Sequence, residues 1–132
     1  MNRVSVSITN FGIEWDKHFV ASFIPKSLQE QIEEVEVVLA ASTPGSYPES
    51  EALNPAVLIA TQAELDFKRL TELVNEPSDK PVLVVRMPRG IWAWPGGVPH
   101  SYYILDGHHR VASAKIRGVK VQAVVVGKTG GA

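Results

Sequence analysis

The 132-residue sequence contains no cysteine. That excludes disulfides, thiolate metal sites and any cysteine nucleophile. No apolar run approaches the roughly 18 residues of a membrane-spanning helix, so no membrane partnership is expected. The N-terminus lacks the apolar stretch of a signal peptide, which makes a cytoplasmic protein the expectation. Internal repeats are absent too. Hydrophobic residues at 45% and charged residues at 20% lie in the globular range, which argues against wholesale disorder. One domain spanning 1–132 is the natural division at this length.

A net charge of -1 hides an uneven distribution. Residues 1–66 hold three basic and ten acidic side chains, a balance of -7. Residues 67–132 hold ten basic and four acidic, a balance of +6. Either the two halves attract each other within the fold, or the C-terminal half faces an anion.

Alternation of Val4, Val6 and Ile8 with Ser5 and Ser7 predicts a strand over 3–8. Residues 10–19 are irregular and aromatic. Pro25 suits a helix's first turn, and Leu28, Ile32, Val35 and Leu39 recur at helical spacing behind it, predicting a helix to about Ala41. Residues 42–54 read as a loop, with a lid as one use for it. Thr61 and Glu64 form a capping-box pattern that predicts a helix over Gln62–Asn75. The nearly wholly apolar Pro81–Arg86 reads as a buried strand. Val119–Val126 reads as a closing strand. Between Met87 and Ser101 runs a connection far longer than a hairpin needs. It carries Arg89, Trp92 and Trp94, and the two tryptophans share one side of an extended segment.

The distinctive stretch is Tyr102–Lys115. Tyr102–Leu105 are β-formers, Asp106-Gly107 is turn chemistry, and a helix is predicted from His108 to Arg117 with Gly118 as its stop. Two histidines and an arginine therefore occupy a helix's first turn. That end carries unpaired backbone N–H groups and the positive end of the macrodipole, and ordinarily favours Asp or Glu. Basic side chains there make sense around an anion, phosphate above all. Gly107, His108, His109 and Arg110 are the candidate phosphate contacts, and Asp106, His108 and His109 the candidate catalytic groups. No metal site is expected from the histidines, because neighbours on a helix diverge by about 100°.

The predicted helix 62–75, the strand opened by Pro81, the strand entering Asp106-Gly107-His108-His109-Arg110, the small-residue helix Val111-Ala112-Ser113-Ala114-Lys115 and the closing strand together resemble the ParB/sulfiredoxin-like superfamily. This includes its ParB N-terminal and ParB-like nuclease domains. The resemblance covers about half of the chain, 56–127, and leaves 1–55 as an N-terminal extension of unknown role. It implies an α+β fold, a small mixed sheet with flanking helices. It also implies that the 106–110 turn cradles the phosphates of a nucleotide (ATP, ADP or CTP), with Mg²⁺ as an accompanying ion. Sulfiredoxin-type members carry a reactive cysteine in this turn. His108 stands in its place, so sulfiredoxin activity is not expected.

Two functions are compatible with these residues. One is a nucleotide- or phosphate-binding domain, with phosphoryl transfer or phosphodiester or nucleotide hydrolysis as its chemistry. The other is a non-catalytic module for DNA or RNA. In it Arg86, Arg89, Arg110, Lys115, Arg117 and Lys120 would follow the backbone while Trp92 and Trp94 stack on bases. On an ideal helix Arg110, Ser113 and Arg117 fall within about 60° of one another, a compact basic stripe.

Overall fold

The computed structural model describes residues 4–88 and 100–127. In chain order, the strands and helices are β1 (Ser5–Ser7), β2 (Glu14–Trp15), α1 (Lys26–Ala41), β3 (Glu51–Leu53), β4 (Leu58–Ala60), β5 (Glu64–Asp66), α2 (Phe67–Asn75), β6 (Val82–Pro88), β7 (His100–Asp106), α3 (His108–Arg117) and β8 (Val121–Val126). Short 3-10 turns occupy Ile8–Phe11, Ala21–Phe23 and Pro55–Val57. The class is α+β.

Six strands form a mixed sheet in the order β2-β4-β7-β6-β8-β3, and β1 pairs with β5 separately. β6 runs antiparallel to β7 and parallel to β8. Residues before 56 are woven into this arrangement: β2 lies parallel to β4, and β3 lies antiparallel to β8.

β6 explains its own apolar run, because both of its faces are covered. Val82 and Val84 join a core with Leu70, Val111, Ala112 and Ala114, from α2 and α3. Leu83, Val85 and Met87 point the other way, to Ile32 and Leu39 of α1. A strand between two helical layers has no solvent side on which to place polar residues. The expected periodicity of α1 holds for the same reason, with Ile32 and Leu39 buried and Glu30, Glu33, Glu34 and Glu36 outside.

Three expectations need correction. The strand over 3–8 is shorter, because Ile8 turns into the 3-10 segment capped by the Ser7 hydroxyl. The loop over 42–54 ends in β3. The helix over 62–75 begins only at Phe67, and its cap is Asp66, whose carboxylate accepts from the Lys68 N–H at 3.0 Å. Glu64–Asp66 instead pair with Ser5–Ser7. Thr61 serves no helix. Its hydroxyl donates to the Ile104 carbonyl at 2.7 Å. A capping-box pattern is local, whereas the competing partner, β1, is some sixty residues away and invisible to it.

Candidate functional site

β7 delivers the site and α3 builds it. After Asp106 the chain turns at Gly107, whose φ of 100° and ψ of 28° place it in the left-handed region, and α3 starts at His108. Val111 N–H, bonded to the Gly107 carbonyl at 2.9 Å, is the first intrahelical donor. The amides of His108, His109 and Arg110 precede it. Gly107 offers no side-chain cap, and the first turn holds no acidic residue. At the other end Gly118 closes the helix, its N–H reaching the Ala114 and Lys115 carbonyls.

Both imidazoles are tied down. His108 is 4% exposed, and its Nε2 accepts from the Thr61 N–H at 3.0 Å. His109 Nε2 accepts from the Asp66 N–H at 2.9 Å. A backbone N–H can only donate, so each ring is neutral with its proton on Nδ1. Burial, reinforced by His109 and opposed by Asp106, pushes the His108 pKa down to about 4. His109 is also lowered, chiefly by burial and then by the Arg69 guanidinium, with Asp66 opposing. The pair thus acts as a clasp: His108 holds the end of β4 and His109 holds the N-cap of α2 against α3.

Arg110 is a staple as well as a charge. Its Nη1 donates to the Lys80 and Pro81 carbonyls, both at 2.8 Å. Its Nη2 lies 3.5 Å from Asp106 Oδ2, with the arginine side chain 13% exposed and the aspartate 60%. Burial lowers the Arg110 pKa, while Asp106 and the Tyr47 phenol hold it up and Arg69 lowers it further. The guanidinium remains a cation. Among the described residues, no carbonyl accepts from its Nε–H or its Nη2.

These groups surround a cavity of about 260 Å³ lined by Gln62, Arg69, Leu73, Leu105, Asp106, Gly107, His108, His109 and Arg110. Arg69, an exposed side chain on the first turn of α2, was not among the expected site residues; nor were Gln62 and Tyr47. The signal for Arg69 was a basic residue at a helix N-terminus, the same one that marked Arg110. It was hidden because the helix was placed several residues too early. With the start at Asp66, a first turn reading Phe67-Lys68-Arg69 has no acidic residue, and the His109 bond holds that turn beside α3.

The other expected contacts are dispersed. Ser113 is 1% exposed and donates to the Leu73 carbonyl at 3.0 Å, joining α3 to α2. Arg117 Nε reaches back to its oxygen at 3.3 Å. Arg86 lies on β6 opposite Tyr102, well along the strand from Asp106, which pairs with Leu83. Arg89, Trp92 and Trp94 lie outside the described residues. Among the described residues no three His, Asp or Glu side chains form a group able to hold a metal ion.

Ser113→Ala would strip the buried Leu73 carbonyl of its donor and leave Arg117 without its support. A loss of about 1–2 kcal/mol is expected, to be read from urea denaturation midpoints of the two proteins.

No family model matches the chain, and no curated protein matches it.

Proposed function

We propose that the protein binds a phosphate-bearing ligand, a nucleotide such as ATP, ADP or CTP, in the cavity at the first turn of α3. The observation that carries this reading is convergence. Arg69 from α2, Arg110 from α3 and the uncapped first turn of α3 line one cavity whose lining includes a single carboxylate, Asp106. Free helix N–H groups and guanidinium donors are the chemistry that phosphate oxygens require. The clasped, neutral histidines orient the turn without adding positive charge. The resemblance of this turn to ParB/sulfiredoxin-like phosphate cradles agrees with the assignment.

The same geometry bears on chemistry. A general base needs a free nitrogen, and both Nε2 atoms are occupied. Asp106, largely exposed, is the group left to meet Mg²⁺ beside a phosphate or to accept a proton from an acceptor hydroxyl. His108 and His109 are then positioning residues in any phosphoryl transfer or hydrolysis at this site.

Arg110→Ala would disturb the fold through its two carbonyl bonds, so Arg69→Ala is the cleaner probe. In a thermal-shift series with ATP, ADP and CTP, with and without Mg²⁺, a ligand at one hundred times its Kd adds about 2.7 kcal/mol of stability. The expected outcome is stabilisation by at least one nucleotide, with affinity about tenfold lower in Arg69→Ala and its unliganded melting point unchanged. Equal shifts in both proteins, or no shift with any nucleotide, would contradict the assignment.

A further inference from the structure

We propose that the ligand carries two phosphates set apart by a nucleoside, as successive phosphates of a short nucleic-acid strand are, and that it crosses Arg110 into a second cleft. This rests on the phosphate reading above. The second cleft, about 310 Å³, opens between residues 77–80, α3 and the start of β8, and it shares Leu73 and Arg110 with the first cavity. Arg110 therefore borders both spaces.

The cleft is built for an anion. Lys80, Arg110, Arg117 and Lys120 line it against one acidic residue, Asp79. Among the described residues, no carboxylate pairs with Lys80 or Lys120. Arg117 is held by Ser113, whose hydroxyl is in turn fixed by the Leu73 carbonyl. That bond gives a buried serine on α3 a purpose beyond packing.

Pro77, Val119 and Val121 supply an apolar wall beside these cations. Adjacent phosphates of a triphosphate have nothing apolar between them. Successive phosphates of a strand are separated by sugar and base, which such a wall suits. The arrangement also gives the positive half of the chain one continuous path, from Arg69 through Arg110 to Lys120.

The test compares three ligands by calorimetric titration: thymidine 5′-monophosphate, a 5′-phosphorylated thymidine dinucleotide and ATP. Each is run on the full chain and on a Lys80→Gln/Lys120→Gln variant. Both lysines are replaced at their side-chain ends only, so the Lys80 carbonyl that anchors Arg110 is kept. The dinucleotide is expected to bind at least tenfold more tightly than the monophosphate. The double variant should erase that gain and leave the monophosphate unchanged. Equal affinities for the two, or a gain that survives in the variant, would overturn the proposal. So would ATP matching the dinucleotide and losing as much in the variant, which would assign the cleft to a contiguous polyphosphate. Failure of the monophosphate itself to bind would instead remove the α3 pocket, and the two-phosphate proposal with it.

Discussion

Gly107→Ala is expected to lose about 3 kcal/mol of stability and to lower the melting point by roughly 10 °C. Two independent costs combine at this residue. An alanine at φ 100° sits where L-residues are strained by about 1–2 kcal/mol. Its Cβ would also stand 2.5 Å from Val82 Cγ1, 2.9 Å from Val82 Cβ and 3.0 Å from Arg110 Nη2. Val82 is fully buried in the core beneath α3 and cannot retreat. The turn must open, and with it the cavity beside α3 and the Arg110 staple. Chemical denaturation of the variant reads the effect directly. A melting point within about 2 °C of the parent protein's would mean that the tight turn is not what the structure depends on.

Acid should loosen the protein well before its carboxylates are the cause. His108 is buried with its pKa depressed to about 4 from the ordinary 6.5, so between those values the unfolded chain binds a proton that the folded chain refuses. The clasp's contribution is fully present above about pH 6.5 and is lost as pH falls toward 4. At 1.36 kcal/mol per pKa unit, the whole change amounts to about 3 kcal/mol. Protonating His108 Nε2 also turns an acceptor into a donor facing the Thr61 N–H, which breaks the link from α3 to β4. His109, lowered in the same direction, adds to the trend. Replacing His108 by Gln retains an acceptor for Thr61 without the titration. Stability measured from pH 7.5 to 4 should therefore fall more steeply in the parent protein than in His108→Gln. Parallel profiles would show that this imidazole is not the titrating clasp.

What the sequence made legible was local. Strand, glycine turn, helix and glycine stop across Tyr102–Gly118 each follow from neighbouring residues. The alternation of buried faces along β6 shows as an unbroken apolar run. α1 announces itself through Leu28, Ile32, Val35 and Leu39. What could not be read depends on distant partners. β5 exists because Ser5–Ser7 lie beside it, so the Thr61–Glu64 pattern pointed to a helix that starts later. The misplaced start concealed Arg69. β2 and β3 are too short to carry a period of two, and only their pairing with β4 and β8 makes them strands. The histidines show the limit most clearly. Their position in a first turn was visible, but the backbone donors of Thr61 and Asp66, 47 and 43 residues away, are what make both rings neutral and hold them in place. Ser113 likewise falls on a basic stripe in a helical projection, yet it faces Leu73 in the interior.

The central claim is that phosphate meets the opening of α3, and backbone amide resonances report on that opening most directly. In a ¹⁵N-labelled sample titrated with a nucleotide, the amides of Gly107, His108, His109 and Arg110 should shift first and furthest, followed by those around Arg69. Saturating shifts at these positions, with a midpoint at about tenfold higher ligand concentration in Arg69→Ala, are the predicted result. Shifts confined to other surfaces, or none at the 107–110 amides at saturating nucleotide, would contradict the account.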